Sequence, residues 1–219
     1  MLKLLRYAPL LLIVFAFAVA IYFYPKLPAA MPSHWNEQGE PDATTSKVWV
    51  LFLLPSAMCV LWGIFLLIPR IDPLKANIAE FRPYYDGFVI LIIFFMIFVQ
   101  LQLILWSQGT KIAPVKLLPF GFGLIFYYAG ILCGHAKRNW FIGVRTPWTL
   151  TSDNVWMKTN KLGGTLFKLT GIISLFGVWF PDRSVYFIFV PGVITAITVV
   201  VFSYMEYKKE IAGNAAETP

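Results

Sequence analysis

Residues 88–106 read FVILIIFFMIFVQLQLILW, nineteen residues with two glutamines and no charge. As a helix rising about 1.5 Å per residue, such a stretch is about 28 Å long, close to the ~30 Å hydrocarbon core of a bilayer. Inside lipid every backbone amide and carbonyl needs an internal partner, so a stretch like this has to be a helix. Working outward, residues 7–24, 48–68, 115–133, 162–180 and 185–204 have the same character, although the fifth segment in chain order carries Lys168. A lysine stem can snorkel to an interface about two turns away, so the expectation is six spans, with a re-entrant fifth segment as the alternative.

Composition points the same way. The 219 residues are 58% hydrophobic and 13% charged, against about 25% charged for a soluble domain. The net charge of +7 need not indicate nucleic acid, because it follows from orientation. With the N-terminus in the cytoplasm, only Lys26, Lys47, Lys111, Lys116 and Arg183 of the 18 lysines and arginines face outward. That asymmetry favours both termini inside. Residues 7–24 resemble a signal peptide, but the apolar run continues through IYFYP with no polar region before AVA, which reads as an uncleaved span. Cys59 and Cys133 sit inside apolar segments as small packing residues.

The fold class expected is therefore all-α: a polytopic membrane protein with six transmembrane helices and cytoplasmic termini. A short interfacial helix is expected between spans four and five. The domains read as an N-terminal two-span unit (1–68) with an outer polar loop (25–47), a four-span unit (69–206) with an inner motif loop (134–164), and a tail (207–219).

The two polar loops hold the candidate functional residues. The outer one places His34, Asn36, Glu37, Glu40 and Asp42 within nine residues. One histidine without ligand spacing does not make a metal site, so none is expected. Asn36 and Asp42 are expected to tie a turn at Gly39 and Pro41, leaving His34 and Trp35 to face a partner or to pack on helix ends. In the inner loop, Gly143 permits a tight turn and Pro147 biases Thr146 to extended backbone. Thr151 or Ser152 can cap the helix that follows, with Asp153 in its first turn. Trp140, Trp148 and Trp156 recur every eight residues, a spacing suited to rings at the membrane interface, with Lys158 and Lys161 directed to headgroups. Gly163 and Gly164 are expected to release the chain into the fifth span. Arg145, held by this turn, offers five donors for a carboxylate or phosphate.

Two further patterns lie in the spans. Pro55, Pro119 and Pro191 fall at similar depth in spans two, four and six, and the carbonyls they free could open an outer crevice to a ligand. Gly130 and Gly134 form a G-x-x-x-G pair that lets another helix approach, with Gly171 and Gly177 acting more loosely.

MPSHWNEQGEPD (31–42) resembles the P-x-H-[FW]-N-x-x-G-x-P-D pattern of a small membrane domain of unknown function. NWFIGVRTPWTLTSDNVWMKTNKLGG (139–164) is similar to the hallmark of the SdpI family of bacterial and archaeal membrane proteins, and the two occur there in this order. That resemblance implies a cell-membrane immunity protein and receptor. It would bind a hydrophobic envelope-active peptide toxin from outside, at His34, Trp35, Asn36, Gly39, Asp42 and beneath Pro55, Pro119 and Pro191. It would dock a small winged-helix autorepressor inside, through Arg145, Thr146, Pro147, Trp148, Thr149, Trp156 and Lys158. It implies no cofactor, no direct nucleic acid contact beyond that repressor, and membrane lipids as neighbours. A transporter is the alternative, but the mid-span polar groups are only Gln100 and Gln102, and no internal repeat is apparent. A membrane enzyme is the third reading, and neither loop shows a nucleophile–base pair or paired metal ligands.

Overall fold

The computed structural model describes residues 6–36, 39–110, 112 and 114–216. Lys3, Glu37 and Lys111, which enter the charge and metal-site readings above, lie outside the described residues. The chain runs α1 (Ala8–Phe23), β1 (Ala30–Trp35), β2 (Pro41–Ser46), α2 (Lys47–Ile71), α3 (Lys75–Glu80) and α4 (Arg82–Ser107). It continues with α5 (Pro114–His135), α6 (Pro147–Thr151), α7 (Asp153–Phe176) and α8 (Ser184–Ala216), with three short 3-10 turns between elements. Six of these helices, α1, α2, α4, α5, α7 and α8, are long and apolar enough to cross a membrane. Leu11, Ile21, Phe94, Phe189 and Ile197 are more than half exposed on them, as lipid-facing surfaces require.

The helix starts follow local chemistry. Ser46 caps α2 by accepting from the Val48 amide, and Ser152 caps α7 by accepting from Val155. Pro9 and Pro83 open α1 and α4, where a missing N–H costs nothing.

The reading as all-α needs one correction. The polar segment between the first two spans folds into an antiparallel β-hairpin, with Ala30 opposite Ser46 and Trp35 opposite Pro41. A second correction concerns residues 153–164. The helix capped by Ser152 does not stop at Gly163 and Gly164 but runs unbroken to Phe176. The only separate helix in the motif loop is the single turn Pro147–Thr151.

The physical reason is the packing of α7 on α5. A Cβ on Gly130 would meet the Gly164 carbonyl oxygen at 2.5 Å, and one on Gly171 would meet the Gly123 oxygen at 2.6 Å. Backbone therefore touches backbone at two levels about two turns apart, and the glycines serve contact between helices. Gly177 instead meets Pro119 and Phe187.

α4 joins the two halves. Its C-terminal half shares cores with α1 and α2 through Ile93, Ile97 and Ile104. Its N-terminal half, at Tyr85 and Val89, packs with Leu132, Ile142 and Trp156 from the later part of the chain. The hairpin packs on the end of α4 through Trp35 and Trp106, whose rings meet edge-on at 5.8 Å. The motif loop meets the far end of α2, where the Trp140 amide donates to Asp72. The two polar segments thus lie at opposite ends of the bundle.

Candidate functional site

The hairpin end is built from its turn. The Asn36 amide donates to the Glu40 carbonyl, and Asn36 Oδ1 accepts from the Glu40 amide, each at 2.9 Å. Gly39 sits at φ 78°, a left-handed conformation that glycine adopts without steric cost. Across the strands His34 Nδ1 lies 2.6 Å from Asp42 Oδ1, both well exposed. The register slips on either side of His34, next to Pro32, which has no amide for the ladder. Lys47 staples the hairpin's exit to α1 by donating to the Tyr24 and Leu27 carbonyls at 2.9 and 3.2 Å. Met31 is fully buried beneath, against Leu27, Val50, Leu51 and Ile104.

Under this lid runs an apolar groove of about 460 Å³, walled by His34, Trp35, Trp49, Leu53, Leu103 and Leu118 among others. His34 and Trp35 reach it. Asn36, Gly39 and Asp42 build the turn and the cross-strand pair instead. Pro55 and Pro119 adjoin the groove residues Leu54 and Leu118, whereas Pro191, on α8, is not in its wall.

The carbonyls freed by two of these prolines are already taken. The Leu51 oxygen, orphaned by Pro55, accepts from Gln100 Nε2 at 3.3 Å. The Phe187 oxygen, orphaned by Pro191, accepts from the Ser174 hydroxyl at 3.1 Å. Pro69, which the sequence reading passed over, follows the same rule: the Phe65 oxygen accepts from the Tyr85 phenol at 2.7 Å. The expectation of open carbonyls therefore fails at Pro55 and Pro191, because a buried carbonyl without a partner is costly and a neighbouring helix supplies one.

The motif end is held by two asparagines that the sequence reading did not single out. Asn139, fully buried, accepts from the Phe141 and Ile142 amides and donates to the Lys137 and Ile142 carbonyls. Asn160 Oδ1 accepts from the Val144 amide at 2.8 Å and from the Cys133 thiol at 3.0 Å, while its Nδ2 donates to Trp156 O. Gly143 sits at φ 104°, and a Cβ there would meet Asn160 Oδ1 at 2.6 Å, so both backbone conformation and space ask for glycine. Thr146 and Thr149 form a reciprocal capping box around α6, with Pro147 at its first turn. Arg138 reaches Asp153 at 2.6 Å and donates to Leu150 O.

This geometry changes several expected roles. Thr146, Thr149 and Trp156 are buried: Thr146 donates to Ser203, Thr149 to Val144 O, and the Trp156 indole to Ala136 O. None of the three forms an outer docking face, and Trp156 is a core residue instead of an interfacial ring. Trp148 packs on Tyr204 at 5.0 Å. Lys158 turns inward to Glu206 at 2.9 Å, away from headgroups, and Lys209 meets the same carboxylate at 2.7 Å. Of the residues expected to dock a partner in this loop, Arg145, Pro147 and the half-buried Trp148 reach the surface. Arg145 spends one donor on Trp140 O at 2.9 Å, which fixes the guanidinium at the surface.

A six-helix polytopic membrane protein with a hairpin-covered groove at one end and a buttressed loop at the other is the class that fold and site define. Residues 135–203 match the model of the SdpI/YfhL protein family, and residues 11–59 match DUF1648, a domain of unknown function. The chain thus pairs a segment similar to DUF1648 with a later region similar to the SdpI/YfhL protein family. It is 24% identical over 205 residues to the Immunity protein SdpI of Bacillus subtilis (strain 168), covering 94% of this chain and 96% of that one. It is 40% identical over 48 residues to the Uncharacterized membrane protein YbgB of the same organism, covering 22% of this chain and 53% of that one. No solved structure matches the chain.

Proposed function

We propose that the chain is a membrane immunity protein and receptor, with the hairpin end outside the cell and the motif end in the cytoplasm. The observation that carries this reading is the similarity to an immunity protein along nearly the whole length of both chains. The positive residues clustered at the motif end support the orientation. The groove under the hairpin takes a hydrophobic envelope-active peptide: its walls are apolar, and His34 and Trp35 at the rim supply polar contacts. Inside, Arg145, flanked by Pro147 and Trp148, docks an anionic patch on a small winged-helix autorepressor. Ligand can influence docking only by binding one arrangement of the bundle better than another.

The test is survival of a toxin-sensitive bacterium expressing the chain, challenged with the membrane-active peptide that a producer strain secretes. Expression should raise survival, and Leu53→Trp, which fills the groove, should abolish the gain with the protein still in the membrane. Equal survival with and without the chain refutes the immunity reading. Undiminished protection by Leu53→Trp removes the groove from it.

A further inference from the structure

A second cavity, of about 430 Å³, opens at the motif end between α3, the last turn of α5 and the first turns of α7. Much of its polar wall is already satisfied. Asn77 donates to Arg138 O at 2.7 Å, Trp156 to Ala136 O, and Asn160 is engaged as described. The charges are unevenly matched. Arg138 and Asp153 neutralise each other at 2.6 Å, and Lys137 approaches Glu80 only at 3.9 Å, with both side chains about 60% exposed. Lys161 also lines the cavity, and among the described residues it has no carboxylate partner. His135 must use Nδ1 as the donor to the Ile131 carbonyl at 2.8 Å, which leaves Nε2 on the far side of the ring. Among the lysine, arginine and carboxylate side chains that line it, three cations face two carboxylates, and these leave one unbalanced positive charge.

We propose that this cavity binds the phosphodiester headgroup of an anionic phospholipid. A phosphodiester brings a single negative charge and balances the cavity, whereas a free phosphate or monoester approaches two near neutral pH and overshoots. Location supports lipid as the source. The cavity lies where two spanning helices meet the polar loop, and its lip includes Met157, an apolar side chain 63% exposed. Lys137, from the loop after α5, and Lys161, from α7, are the lining cations that would meet the phosphate, with the Met157 side toward the acyl chains. The site shares no residue with the hairpin groove or with the outward face at Arg145, so it stands or falls apart from the immunity reading.

The experiment is native mass spectrometry of the purified full-length protein with phosphatidylglycerol, phosphatidylcholine or inorganic phosphate. Phosphatidylglycerol should be retained in preference to phosphatidylcholine. Lys137→Gln and Lys161→Gln should each weaken it about fivefold, as expected for one basic residue at a membrane surface. Lys208→Gln, a basic change at the same end that does not line the cavity, should leave retention unchanged, with all variants melting like the parent. Equal retention of the two lipids overturns the proposal. So does a loss at Lys208 as large as that at Lys161, which would show diffuse attraction. Displacement of phosphatidylglycerol by millimolar inorganic phosphate would assign the site to a free anion instead and also overturn it.

Discussion

The phenol of Tyr85 donates to the carbonyl oxygen of Phe65 at 2.7 Å, and that oxygen is the one Pro69 leaves without an amide partner. The same arrangement recurs with Gln100 at Leu51 and Ser174 at Phe187, so in each case a proline break on one helix is repaired by a polar side chain of another. These breaks tie the spans together.

The first prediction is a coupling. Tyr85→Phe removes only the hydroxyl and should cost about 1–2 kcal/mol, the range for leaving a buried carbonyl unpaired. In a Pro69→Ala background the helix supplies its own amide, and the same change should cost less than half as much. A double-mutant cycle followed by detergent unfolding reads the difference. Equal costs in both backgrounds would dissociate Tyr85 from the proline break.

A second prediction separates two glycines of one motif. Gly130→Ala places a methyl 2.5 Å from the Gly164 oxygen, whereas Gly134→Ala meets nothing within 4 Å. The former should lose about 1–3 kcal/mol through overpacking. The latter should be neutral or gain up to about 1 kcal/mol from helix propensity. Thermal unfolding of the two variants, compared with the parent, decides it.

Asn160 gives the third. Asn160→Ala leaves the Val144 amide, buried on that side of the loop, without its acceptor, at a cost of about 2–3 kcal/mol. The loop should then open first, so amide exchange at Val144 and protease cleavage within residues 137–151 should accelerate before the spans unfold. Unchanged exchange at Val144 would mean that Asn160 does not hold the loop.

The fourth concerns Arg145, exposed and tied by one bond to Trp140. Arg145→Ala should shift stability by less than about 0.5 kcal/mol, as a surface change does. Under the proposed function it should also abolish co-purification of the cytoplasmic repressor while toxin protection persists. Loss of both together would point to a fold defect.

Orientation supplies the fifth. In a cysteine-free background, Ser33→Cys in the hairpin and Arg145→Cys in the motif loop should label from opposite sides of intact cells. Labelling of both from outside would contradict the proposed topology.

The spans were readable because burial in lipid demands length and apolarity, two properties that composition displays directly. The glycine pair in GILCG was equally visible, although its partner Gly164 on α7 was not, since which helix comes close is a tertiary fact. The hairpin was missed because AMPSHW and PDATTS contain prolines and mostly exposed side chains, so no alternation announces strands. Asn139 and Asn160 were passed over because a polar residue in a polar segment reads alike whether solvated or buried. Their burial appears only once the loop folds back on α7. Likewise Lys158 finds Glu206 48 residues away, and nothing local marks that pairing.

The uninterrupted course of α7 has one more consequence. Asn160 clasps the loop near one end of this helix, and Ser174 engages α8 near the other, fourteen residues or about 21 Å along the axis. With no break between them, a push or twist delivered at either tip arrives at the other as motion of a stiff pushrod.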